Sequence, residues 1–133
     1  MNRLMRVSKR RYLWAPVLFY LVFIFFASSF SFHFPWSPRA QKSHADWAAH
    51  VVEYGVFGFL LGRALWHHSL FWRSAGRVFL AVCLIGVLYG ATDEFHQRFV
   101  PQRDASVQDL AFDAVGAAFG ALIWIYKRNR SYA

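Results

Sequence analysis

Residues 89–113 read YGATDEFHQRFVPQRDASVQDLAFD and hold five of the chain's seven acidic residues: Asp93, Glu94, Asp104, Asp109 and Asp113. They sit between two of the most apolar segments of an already apolar chain. Carboxylates gathered at such a place are either a hydrophilic break between helices or a polar interior that several helices share. The surrounding sequence decides between the two.

Hydrophobic residues make up 57% of the 133 positions and charged ones 17%, below the roughly 25% usual in soluble domains. The net charge of +8 could indicate nucleic-acid binding. That reading needs basic residues interleaved on a soluble face, whereas here they flank apolar runs. A polytopic membrane protein with no nucleic-acid partner is expected. Cys83, the lone cysteine, excludes an intrachain disulfide.

Four runs carry the hydrophobic signal. Tyr12 to Phe32 has no ionisable side chain but tyrosine and is long enough to cross a hydrocarbon core of about 30 Å as a helix. Trp47 to Trp66 follows, interrupted by His50, Glu53 and Arg63. Val78 to Thr92 comes next, then Leu110 to Tyr126 with Asp113 inside it. The expected fold is all-α: four transmembrane helices with short loops, in one domain over 1–133. The first run, preceded by five cations, has signal-peptide features. Its 21 residues exceed the usual 7–15-residue signal core, so a retained helix is expected.

Charge sets the orientation. With alternating helices, one side receives eleven of the fifteen Lys and Arg residues, from the N-terminal cluster, Arg63, Arg73, Arg77, Lys127, Arg128 and Arg130. The other side receives Arg39, Lys42, Arg98 and Arg103. The positive-inside rule then puts both termini in the cytoplasm of an inner-membrane protein. Trp14, Trp66, Trp72 and Trp124 would lie near the inner interface, Trp36 and Trp47 near the outer one. All seven acids fall on the outer side.

Helical spacing aims those acids. Asp46, His50, Glu53, Tyr54 and Phe57 recur at steps of three and four, so they share a face. Tyr89, Asp93 and Gln97 form a second stripe with Glu94 beside it. Ser106, Asp109 and Asp113 form a third, Ser106 reading as an N-cap and Asp109 suiting the positive end of a helix dipole. Charge at the bilayer centre costs about 2.5–3.5 kcal/mol, so these stripes should face one wet, outward-opening cavity. Gly58–Gly62, Gly86–Gly90 and Gly116–Gly120 have the small-xxx-small spacing that lets backbones approach. The first run has no glycine and is expected at the periphery.

Several chemistries compete for the cavity. Asp109 and Asp113 can be helix-capping residues and hydrogen-bond partners of Arg103 or Tyr89. His50 and Glu53 can be a polar pair on adjoining turns. Imidazole and carboxylates also suit a divalent metal, here His50, Asp93, Asp109 and Asp113. With no HExxH or CxxC spacing no resident metal is expected, and no cofactor is assigned. Clustered carboxylates further suit acid–base catalysis, with His50, Glu53, Asp93, Glu94 and Asp109 as candidates. Asp46, Tyr54, Tyr89, Gln97, Arg103, Ser106 and Asp113 are the candidates for ligand binding. Arg103 can hold a carboxylate or phosphate bidentately, or act as counter-ion to Asp93 or Asp109. His44 and His96 read as solvated loop residues, His67 and His68 as headgroup contacts.

The same stretch resembles the VanZ-like family, whose members carry YGxxDExxQxFxPxR. Here that is Tyr89, Gly90, Asp93, Glu94, Gln97, Phe99, Pro101 and Arg103, followed by Ser106, Asp109, Gly116 and Gly120. An earlier family element, DKxxHFxxY, is similar at Asp46, His50 and Tyr54. The resemblance is strongest over 46–122. The chain departs from the family with Trp47 for the usual Lys, Val51 for Phe, and Asp113 where many members have Asn. Were that Lys the cavity's counter-charge in relatives, Lys42, Arg103 or an outside cation would have to replace it. The family name comes from a membrane protein linked to resistance to teicoplanin, an envelope-acting glycopeptide antibiotic. The resemblance implies a four-helix membrane unit with a role at the cell envelope. Two kinds of function follow as expectations. One is binding or modulation of an envelope lipid, a lipid-linked precursor or a glycopeptide-related ligand; the other is a small acid–base or metal-dependent membrane enzyme acting on such an intermediate. A proton- or ion-coupled transporter fits least, since no inverted repeat is present.

Overall fold

The computed structural model describes residues 3–30, 44–68, 74–101, 103 and 105–130, with side chains from Tyr12 in the first helix and Asp46 in the second. Arg39, Lys42, Asp104, Trp36, Trp72 and Arg73 lie outside the described residues. The described residues form four helices: α1 (Arg3–Ser29), α2 (His44–Trp66), α3 (Ala75–Gln97) and α4 (Val107–Arg130).

Each helix outruns its apolar stretch. α1 starts among Arg and Lys, which are good helix formers. α4 ends in Lys127, Arg128 and Arg130, cations placed where the helix dipole favours them. α3 begins at Ser74, whose hydroxyl accepts from the Arg77 amide at 3.5 Å, and continues through Asp93 and Glu94 to Gln97. The acidic stretch is therefore not a break: it is the last turns of α3 and the first turns of α4.

Three of the four helices, α1 over Tyr12–Ser29, α3 and α4, are long and apolar enough to cross a membrane. α2, at 23 residues, matches them in length, but His50, Glu53 and Arg63 keep it short of that apolarity. Apolar side chains cover the outside of the spanning helices, with Phe19 74%, Leu80 68% and Phe119 62% exposed. Such a surface belongs against lipid, not water.

The helices run up and down. His68, just past α2, packs edge-on to Trp14 near the start of α1, and Arg128 of α4 lies 3.8 Å over the ring of Trp66 at the end of α2. Trp66 is thus buried under that cation. That end of the bundle gathers Arg63, Arg77, Lys127, Arg128 and Arg130, and the opposite end gathers the acids.

α2 packs closest against α4, and glycine makes this possible. A Cβ on Gly116 would meet the Val51 backbone, and one on Gly120 the backbone of Gly55 and Phe59, in both cases nearer than 3.0 Å. Gly58 faces the Ala117 backbone, and Gly86 of α3 faces the Ala117 side chain. The small-residue spacing thus marks real helix crossings, α2 on α4 and α3 on α4. α1 packs on α2 and α3 through Val17, Ile24 and Ser28 and leaves its phenylalanines outward.

Candidate functional site

The site grows from the turn joining α3 to α4. Ser106 caps α4: its hydroxyl accepts from the Gln108 amide at 3.1 Å and its carbonyl from the Asp109 amide at 3.1 Å. The Ser106 amide in turn donates to Oε2 of Glu94 at 2.6 Å. The end of one helix is so fastened to the start of the next, with a carboxylate at the positive end of α4.

One turn into α4, Asp113 reaches α2. Its Oδ1 lies 2.8 Å from Nδ1 of His50, and His50 Nε2 lies 3.9 Å from Oδ2 of Asp109. Asp113 is fully buried, Asp109 nearly so, and the His50 side chain only 11% exposed. A carboxylate can only accept, so the Nδ1 proton is assigned to the bond with Asp113. Gly90 gives Asp113 its room, since a Cβ there would sit 3.0 Å from Oδ2. Asp93 and Gln97 form a buried pair on adjoining turns of α3, the amide donating to Oδ2 at 3.0 Å. Glu53, half-buried on α2, lies in electrostatic reach of His50, Asp93, Asp113 and Arg103.

His50, Glu53, Tyr54, Asp93, Glu94, Asp109 and Asp113 therefore converge from three helices at one end of the bundle. Gln97 and Ser106 adjoin this cluster through Asp93 and Glu94, while the remaining candidates are exposed or bonded elsewhere. Asp46 is exposed in the first turn of α2. The Tyr89 hydroxyl donates to the Leu21 carbonyl at 2.6 Å, tying α3 to α1 in place of meeting Asp109 or Asp113. Arg103 donates to the carbonyls of Phe30 at 3.1 Å and Ala27 at 3.5 Å, so it caps α1 instead of bonding Asp93 or Asp109. His50 bonds Asp113, leaving Glu53 as a neighbour and not its hydrogen-bond partner. His96 is no solvated loop residue: Nε2 meets the Ser29 hydroxyl at 3.0 Å and the ring stacks 4.5 Å from Phe25.

One grouping differs from the metal set expected from sequence, and one feature was not anticipated. The carboxylate from α3 that faces His50 and Asp109 is Glu94, not Asp93; donor atoms of His50, Glu94 and Asp109 all lie within 4.8 Å of one another. The signal was the i+4 series Gly86, Gly90, Glu94, which points to α4. The unanticipated feature is a groove between α3 and α4, walled by Ala91, Phe95, Val107 and Leu110, with Glu94 and Ser106 at its base and Arg98 at its rim. Trp47, where the family pattern has Lys, stacks on Phe112 at 5.3 Å and brings no charge.

Fold and site together define a polytopic helical membrane protein with a buried carboxylate–histidine cluster at one end. The VanZ/LLP1 family model matches residues 13–128, and the chain belongs to that family. No curated protein and no solved structure matches the chain significantly.

Proposed function

We propose that this VanZ/LLP1-family protein holds the polar head of a cell-envelope lipid, or of a glycopeptide-related ligand, in the acidic cluster around His50. It lies in the cytoplasmic membrane with both termini inside, the cluster opening outward. The separation of basic and acidic ends supports that orientation by the positive-inside rule.

One observation carries the reading: the groove that reaches Glu94 is continuous with lipid-facing surface. Phe95 is 60% exposed and Val107 85% exposed, and both wall the groove. An acyl or isoprenoid chain can lie against them while its head meets Glu94, Ser106 and Arg98. A lipid-linked envelope precursor has that shape. His50 and Asp109 stand beside Glu94 to contact the head, and Asp93 and Asp113 hold the shell behind. The test is the lipid profile copurifying with the wild type, with Glu94→Gln and with Phe95→Ala, read by mass spectrometry. One lipid class enriched in the wild type and depleted in both variants is expected; three identical profiles would refute the reading.

A second reading is a small membrane enzyme acting on the same lipid-linked intermediate. The carboxylate-oriented imidazole of His50 supports it, because such a group can serve as a general base. It predicts that His50→Gln retains the lipid and loses turnover of it.

A further inference from the structure

We propose that His50 Nε2, Glu94 and Asp109 bind a divalent transition-metal ion, with Asp113 as the carboxylate behind the histidine. The inference goes beyond the lipid reading and stands on geometry independent of it. With Nδ1 donating to Asp113 at 2.8 Å, Nε2 turns its lone pair toward Asp109 Oδ2, 3.9 Å away, which is too far for a hydrogen bond. The Glu94 donor completes a triangle whose atoms lie within 4.8 Å of one another. A tetrahedral zinc ion bonded at about 2.1 Å needs donors about 3.4 Å apart, reached when each side chain closes by roughly an ångström or less.

Two of the three ligands have outer partners of the kind metal sites use. Asp113 fixes the tautomer and ring plane of His50, and the Ser106 amide holds Glu94 at 2.6 Å. A second observation points inward. The Tyr54 hydroxyl and Asp113 Oδ2, on residues that are each 0% exposed, have no hydrogen-bond partner among the described residues. Tyr54 lies in electrostatic reach of Asp113, Asp93 and Glu53. Buried polar atoms are rarely left so, and an ion or water beside Asp113 would satisfy them. An imidazole ligand favours zinc or iron over magnesium and calcium. Glu94 also lines the groove, from which water or an anionic head group would complete the shell.

The experiment is a zinc titration of the full chain in detergent micelles after chelator stripping, followed by calorimetry. Saturable binding of one ion per chain is expected. His50→Gln and Asp109→Asn should weaken it by more than about 100-fold and Asp113→Asn by about 10–100-fold, as loss of an outer partner does. Gel filtration and circular dichroism report whether each variant stays folded. Should the variants fail to fold, the wild type loaded with Mn2+ decides: spin-echo modulation should show one imidazole nitrogen coupled to the ion. Absence of that coupling, no saturable zinc binding by the wild type, or wild-type affinity in folded His50→Gln would each overturn the proposal.

Discussion

Replacing Gly120 with Ala tests whether the α2–α4 crossing sets both stability and site geometry. A Cβ there would fall nearer than 3.0 Å to the Gly55 carbonyl and the Phe59 amide nitrogen. Both are backbone atoms, so no side-chain rotation relieves the clash. Ordinary contact begins near 3.4 Å, and the helices must separate by roughly an ångström. Overpacking of this kind costs about 1–3 kcal/mol, and a rigid double-backbone clash belongs at the upper end. Better helix propensity returns up to about 1 kcal/mol. Separation also strains the His50–Asp113 bond two turns away, worth about 1.5–3 kcal/mol when a charged partner is involved. The net expectation is a loss of about 2–4 kcal/mol. Gly76→Ala is the control: nothing lies within 4 Å of its Cβ position, so only propensity acts, giving a change between zero and about 1 kcal/mol in favour of folding. Reversible unfolding in mixed micelles, titrated with SDS and followed by circular dichroism, measures both. If Gly120→Ala matches Gly76→Ala to within about 0.5 kcal/mol, the close crossing is wrong.

Tyr89→Phe removes the hydroxyl that donates to Leu21, and should cost about 0.5–1.5 kcal/mol in the same assay. Tyr54→Phe removes a hydroxyl with no partner among the described residues, so the ligand-free protein should be unchanged or more stable by about 1 kcal/mol; a loss larger than that would reveal a partner. Arg103→Ala uncaps the α1 carbonyls of Ala27 and Phe30, and amide exchange over the last turn of α1 should quicken by roughly tenfold while α4 stays protected. Glu94→Ala leaves the Ser106 amide without its carboxylate and should destabilise by about 1–2 kcal/mol, whereas Glu94→Gln, which can still accept, should recover about half of that.

The apolar runs were enough to place four helices, because burial in lipid writes itself as length. Their ends were harder. The apolar run stops at Thr92, but the stripe of Tyr89, Asp93 and Gln97 carries the helical pattern further, and α3 runs to Gln97 with both acids turned inward. The same extension moves His96 out of a loop and onto Phe25 and Ser29. Helical periodicity put Ser106, Asp109 and Asp113 on one face, and the structure buries Asp109 and Asp113 in line with Gly116 and Gly120. Periodicity could not choose between Asp93 and Glu94, since neighbours on a helix differ by about 100° and the rotation is set by packing. That choice rests on Gly86 and Gly90 meeting Ala117, Leu110 and Asp113. Arg103 was beyond reach for a different reason: a loop residue's long side chain goes wherever bare carbonyls lie, and those of α1 are distant in sequence.

Stability and the site share one surface of α4. Asp109 and Asp113 continue the buried stripe of Gly116, Ala117, Gly120 and Ala121, so the contact that brings α2 close enough for His50 to reach Asp113 is the contact the glycines permit. Close approach also excludes lipid and bulk water from the carboxylates, and buried charge without compensation costs several kcal/mol per ion. Within the described residues, the basic groups near these carboxylates are His50, which bonds Asp113, Arg103, which bonds the Phe30 and Ala27 carbonyls, and Arg98 at the rim of the groove that Glu94 lines. Trp47 supplies stacking where the family pattern has a positive charge. A tightly packed, acid-rich bundle end of this kind favours binding something positive, and that preference arises from the same helix crossing that holds the fold together.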